Sequence, residues 1–249
     1  MRYIRAFLMS LGMFSAIPTP NIWEDRLMPM MLPCLPVIGA LIGVIWYGII
    51  FLLRLANVPP LIQGALAMLA PFALCGFLHA DGYMDASDAI FSRRGIEDKK
   101  RILKDPNVGA FGVIAIVIAF LLQFSAMVTV TSTERNIYLI ICIPILSRCI
   151  AGAAMLNCRA MFEIGFAASF KADTKPVHTV FICLFALFPT VAAGFLTATA
   201  IIVILTEVLA GILATAWTYR QFYGLSGDLC GFIITVSELA GVLCMAIIA

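Results

Sequence analysis

Three aspartates at i, i+4 and i+7 in the stretch His79-Ala-Asp-Gly-Tyr-Met-Asp-Ala-Ser-Asp88 form the densest chemistry in this chain. Read as a helix, this segment carries Asp81, Asp85 and Asp88 on one face, with Tyr83, Ala86 and Ile90 on the other. At about 6 Å and an effective dielectric of about 20, each adjacent carboxylate pair repels by roughly 3 kcal/mol. Open water would remove most of that penalty and leave a plain solvated face. The uncharged run that leads into the segment, ending at Leu78, argues against full solvation. A hard divalent cation is then the expected neutraliser. Carboxylate oxygens with phosphate nearby suit Mg²⁺, which makes Asp81, Asp85 and Asp88 the expected metal set.

A second group follows closely. Lys104, Asp105 and Asn107 precede Gly109 and Gly112, and Pro106 is placed to sit in the first turn of the next helix. Backbone N–H groups at a helix start attract phosphate, and the lysine adds a point charge. Arg148 lies in an otherwise apolar span, where an ionised side chain is costly. Glu207 and Glu238 also fall within spans, so an ion pair of Arg148 with one of them is expected. Asp228 opens the last span and either joins the metal set or caps that helix. His79 and His178 read as polar edge residues.

The elements that must position these groups are membrane helices. The chain has 249 residues, 63% hydrophobic and 12% charged, whereas soluble domains hold about 45–50% apolar and about 25% charged residues. Uncharged runs at Leu27–Leu53, Leu55–Leu78, Pro106–Thr133 and Pro176–Thr206 are each long enough to cross about 30 Å of hydrocarbon. Strand alternation is absent, which disfavours a barrel. The expectation is an all-α polytopic membrane protein, residues 1–249 as a single catalytic domain, with about seven transmembrane segments. A short N-terminal helix over 3–17 is read as interfacial or re-entrant, because Pro18-Thr-Pro20 ends it and no small-residue cleavage site follows. Spans are expected at Met28–Leu53, Leu61–Leu78, from Pro106 to about Val130, Ile137–Leu156, Val177–Ala200, Ile201–Tyr219 and Leu229–Ile248. Gly39 and Gly43 suggest a close-packing face on the first of them. The eight cysteines are scattered with no C-x-x-C and read as small hydrophobes.

Charge fixes the expected orientation. Of the sixteen Lys and Arg residues, Arg54 and Arg135 fall on one side, Arg148 lies inside a span, and the other thirteen share the opposite side. Six of those lie in the Arg93–Lys104 loop. The positive-inside rule then puts the loop, the acidic helix and the Gly224–Asp228 turn at the cytoplasmic face of the membrane.

Taken together, four motifs resemble those of the cobalamin synthases, also called adenosylcobinamide-GDP ribazoletransferases. His79-Ala-Asp81-Gly82-x-x-Asp85-x-x-Asp88 is similar to the family's H-x-D-G-x-x-D-x-x-D, and Lys104-Asp105-x-x-x-Gly109-x-x-Gly112 to its K-D-S-R-x-G-x-x-G. Pro144-Ile-Leu-Ser-Arg148 fits P-x-x-x-R, and Arg220-x-x-x-Gly224-x-x-Gly227-Asp228-x-x-Gly231 with Glu238 resembles the terminal pattern. Pro106-Asn107 departs from Ser-Arg, Ala89 from the usual Gly, and Gly224-Leu-Ser-Gly227 from a Gly-Gly-x-Thr-Gly run.

The resemblance implies Mg²⁺-dependent transfer of the adenosylcobinamide-phosphate group from adenosylcobinamide-GDP to α-ribazole or its 5′-phosphate, with release of GMP. It implies catalytic roles for Asp81, Asp85, Asp88 and Asp228. It also implies substrate contacts by His79, Lys104, Asp105, Asn107, Arg148, Arg220 and Glu238. It further implies a bacterial or archaeal inner membrane, so membrane lipid is the expected surroundings; no nucleic-acid partner is expected, and a homo-oligomer is left open. Two alternatives stand beside this reading. A CDP-alcohol phosphotransferase also uses aspartates on membrane helices, but its D-G-x-x-A-R opening is only half met. A small transporter would use Arg148, Glu207 and Glu238 along a path.

Overall fold

The computed structural model describes residues 1–133, 136–171 and 174–248. Among these residues the architecture is helical, without a strand: α1 Arg2–Phe14, α2 Leu35–Leu55, α3 Pro60–Leu74, α4 Leu78–Phe91, α5 Ile96–Ile102, α6 Ala110–Ser132, α7 Leu139–Asn157, α8 Phe166–Lys171, α9 Pro176–Leu196, α10 Ala198–Phe222 and α11 Gly227–Ile247. Among the described residues five helical segments are long and apolar enough to cross a membrane, and a sixth span results if the bent pair α3–α4 is counted as one. The remaining expected segment falls at α9, which is apolar over Pro176–Val191. Large apolar side chains such as Val117, Leu121, Leu205 and Leu209 are exposed along α6 and α10, as surfaces turned to lipid require.

Two expected boundaries move. The span expected from Met28, with a kinked entry suggested by Pro33 and Pro36, opens as tight 3₁₀ turns, Asp25–Met30 and Leu32–Cys34, and its regular helix α2 begins only at Leu35. Pro29 and Pro33 withhold backbone N–H groups there, so a regular α-helical ladder cannot form. The expected continuous passage from Leu61 into the acidic helix is broken, with α3 and α4 meeting at 88°. Gly76 and Phe77 both adopt left-handed backbone, at φ 60° and 59°. The freed Leu74 carbonyl accepts the Ala16 N–H at 2.8 Å, so the N-terminal segment secures the bend.

α11 is the hub of the bundle and packs on α4, α6, α7 and α10. α2 lies on α7 through Gly43, where a Cβ would stand 2.5 Å from the Ile141 carbonyl oxygen. Gly39 makes the same kind of approach to Pro144. The connections that carry the motifs gather at one end of the bundle: α5 packs on α4 and α10, and Ala160 bridges Leu225. Arg54, at the other end, donates to the Thr131 and Thr133 carbonyls at 2.7 and 2.8 Å. Arg135, its expected companion there, lies outside the described residues. All eight cysteines are free.

Candidate active site

The acidic strip forms as the spacing requires. α4 spans all three aspartates, and its glycine allows the next helix to come close. A Cβ at Gly82 would stand 2.7 Å from the backbone oxygen of Asp228, which brings the start of α11 onto α4. Gly231, one turn further along α11, passes the His79 carbonyl in the same way, at 3.2 Å. The result is a group of four carboxylates, since Asp85 lies within the electrostatic reach of Asp81, Asp228 and Asp88. Asp81 is exposed, whereas Asp85 and Asp228 are half-buried. Neither Lys104 nor Arg220 forms an ion pair with any of the four.

Asp88 differs from its neighbours. It is 7% exposed and accepts the Gly109 N–H at 2.5 Å. Gly109 and Gly112 both face it so closely that a Cβ on either would collide, at 2.5 and 2.8 Å from its carboxylate oxygens. These two glycines therefore serve the approach of α6 to α4. Helix α6 starts at Ala110, with Gly109 as its N-cap residue, rather than at Pro106 as expected. The acceptor for the N–H of its N-cap residue Gly109 comes from α4, so the start is set by tertiary contact. In the preceding turn the Asn107 backbone and side-chain N–H groups both donate to Asp105, each at 2.9 Å. Those two bonds hold the Asp105 carboxyl below its usual range.

Beneath the strip, Arg148 joins three helices. It is 1% exposed and makes a buried ion pair with Glu238, which resolves the expected choice between the two glutamates. Its Nη1 also donates to Ser147 Oγ at 2.9 Å, and its Nη2 to Cys75 Sγ at 3.2 Å. Nη2 also meets His79 Nδ1 at 3.4 Å; with the guanidinium as donor, the imidazole proton belongs on Nε2. Ser147 Oγ donates to Glu238 at 2.8 Å, and Thr235 Oγ1 to the His79 carbonyl at 3.3 Å. Glu207 is also fully buried, beside Gly241, with no hydrogen-bond partner for either carboxylate oxygen. Sequence reasoning missed Cys75, Ser147 and Thr235, whose only available signal was position: Ser147 adjoins Arg148, and Thr235 lies three residues before Glu238.

The expected phosphate-binding residues are spread over the rim. The Lys104 ammonium sits 3.5 Å above the Phe162 ring. Phe162 belongs to a loop that docks on the α10–α11 turn: Met161 N–H donates to the Leu225 carbonyl at 2.9 Å, and Leu225 N–H to Arg159 at 2.8 Å. Gly224 is pressed against Met161 there. Arg220 ends α10, exposed, on the wall of a cavity with Trp217 and Phe232. Asp228 is not the cap of α11; Ser226 takes that position and accepts the Leu229 N–H at 3.4 Å. His178 lies at the start of α9, apart from these groups.

The fold and site together define a helical membrane protein with four carboxylates grouped where α11 starts against α4. The cobalamin-5-phosphate synthase family model matches residues 6–246, and the chain belongs to that family, a transferase family of cobalamin biosynthesis. It is 36% identical over 248 residues to the adenosylcobinamide-GDP ribazoletransferase of Clostridium perfringens (strain 13 / Type A), covering 99% of each chain. The enzyme of that name from Clostridium botulinum (strain Alaska E43 / Type E3) is 34% identical, with 95% of each chain covered. The one from Geobacillus kaustophilus (strain HTA426) is 31% identical, with 93% of this chain and 91% of the other covered. No solved structure matches. Family membership sets aside the CDP-alcohol phosphotransferase and transporter alternatives.

Proposed function

We propose that this chain transfers the adenosylcobinamide-phosphate group of adenosylcobinamide-GDP to α-ribazole or its 5′-phosphate at the α4–α11 junction. The observation that carries the reading is the approach at Gly82, which sets Asp228 beside the strip on α4. The 3′ hydroxyl oxygen of the acceptor forms the new bond to the phosphorus next to cobinamide. The phosphoanhydride bond to GMP breaks, and the hydroxyl proton passes to a carboxylate, which we assign to Asp228.

Among the described residues no three His, Cys, Asp or Glu side chains converge tightly enough to cage an ion. Mg²⁺ does not need such a cage, because it takes one or two carboxylates and completes its shell with water and substrate phosphates. The all-oxygen donor set of the strip fits that mode. Asp81 and Asp85, the more open pair, would hold the ion; Asp88, tied to Gly109, fixes α6 behind them and adds its charge to the field. When bound, the ion neutralises charge on the diphosphate. Lys104 and Arg220 contact substrate phosphates from the rim, with Asp105 and Asn107 shaping the Lys104 turn. The His79, Arg148 and Glu238 cluster holds the base of α4.

The site is assigned to the cytoplasmic face by the charge asymmetry. Purified protein in liposomes, given both substrates and Mg²⁺, should release GMP only when all three are present. GMP release without the acceptor, or none under any combination, would refute the proposal. For the orientation, Ser92→Cys in intact cells should resist an impermeant thiol reagent, and strong labelling would reverse the topology.

A further inference from the structure

Away from the carboxylates, three segments distant in sequence enclose a cavity of 750 Å³ lined by cationic groups. Arg2 comes from the first turn of α1, Arg26 from the 3₁₀ turn before α2 and Lys175 from the start of α9, with the His178 imidazole beside them. Tyr3 and Thr174 supply hydroxyls at the same cavity. No carboxylate lines it among the described residues. Glu24 offsets one charge by pairing with Arg26 at 2.7 Å and also pairs with Arg5, while Asp25 lines a neighbouring cavity.

The surroundings point to the kind of anion. Tyr3, Ile4, Val177 and Val180 are all exposed, at 78, 65, 60 and 53%, on the two helices that frame the cationic groups. α9 is an apolar helix, and Lys175 and His178 stand at its first turn, where such a helix leaves the polar zone. A free phosphate would use the charges and leave these apolar side chains in water. A phospholipid uses both, with its headgroup among the cations and its chains along α9 and the outer face of α1.

We propose that this cavity seats the headgroup of an anionic membrane phospholipid. Binding there ties α1, the 3₁₀ turn and α9 together at one end of the bundle.

The test uses full-length protein in mixed phosphatidylcholine and phosphatidylglycerol nanodiscs, with retained lipid counted by native mass spectrometry. The parent should keep phosphatidylglycerol in preference to phosphatidylcholine. Each basic group near an anionic surface contributes about fivefold, so Arg2→Gln with Arg26→Gln and Lys175→Gln should weaken that preference by about a hundredfold. Arg94→Gln with Lys100→Gln and Arg101→Gln removes equal charge from the same face outside the cavity and should weaken the preference far less. Should the cavity triple variant fail to fold, Lys175→Gln alone should still lower retention by about fivefold. Equal loss in the two triple variants, or no loss from Lys175→Gln, overturns the proposal. Displacement of the lipid by millimolar inorganic phosphate would assign the cavity to a soluble phosphate instead and overturn the lipid reading.

Discussion

Two polar regions meet on α4 and are built on opposite rules. Around Arg148, charges of both signs are matched inside the protein: Glu238, Ser147, Cys75 and His79 occupy the guanidinium, and the cluster is closed to solvent. One turn above it, Asp81, Asp85, Asp88 and Asp228 present charge of one sign, and only Asp88 has spent an oxygen on another helix. The guanidinium of the first region is partnered without a ligand, although neighbouring Glu207 keeps both carboxylate oxygens unpartnered. On the proposed reading, the second region is balanced when a cation binds. The two regions therefore differ in their partners more than in their residue types.

Breaking the first region should have the largest effect. Arg148→Met leaves Glu238 buried without its partner, so the protein should lose about 3–5 kcal/mol of stability and its activity together. Arg148→Met combined with Glu238→Leu should recover much of the stability and none of the activity, as read by thermal melting in detergent and GMP release. If the single change melts like the parent, the cluster does not hold the base of α4.

Gly82→Ala probes the seam between the regions. Its Cβ would meet backbone atoms of Asp228 at 2.7 and 2.8 Å, and backbone cannot rotate away. Overpacking of this kind costs about 1–3 kcal/mol. The shift of Asp228 away from α4 should lower kcat more than it raises KM. Unchanged kcat would detach Asp228 from the reaction.

Lys104→Ala should have the smallest effect on stability, about 0.5–1 kcal/mol from the lost contact with Phe162. It should raise KM for the nucleotide-bearing substrate, with Lys104→Arg keeping part of the binding because charge matters more than fork geometry at a point contact. Wild-type kinetics for Lys104→Ala would leave Lys104 as a loop clasp alone.

The parts legible in the sequence were those written in a repeating register. The i, i+4, i+7 aspartates placed the strip, and the uncharged runs placed most spans. What the sequence hid was set between segments. The Leu61–Leu78 run gives no sign of the 88° bend, because Ala16 supplies its hydrogen bond from 58 positions away. Pro106 resembles a helix start, yet Asp88 determines that α6 begins after Gly109. Glu207 and Glu238 are equivalent as isolated acids in apolar spans, and only packing gives Arg148 to Glu238. The docking of Met161 on Leu225 uses backbone groups, which leave no residue signature.

Melting curves with and without Mg²⁺ test most directly whether the strip binds a cation, as proposed. They compare the parent with Asp81→Asn combined with Asp85→Asn. Without Mg²⁺ the variant should melt no lower than the parent, because removing like charges relieves repulsion. Added Mg²⁺ should raise the melting temperature of the parent alone, and the variant should lose GMP release. Equal Mg²⁺ stabilisation of both proteins, or a metal-free variant that melts well below the parent, would contradict the account.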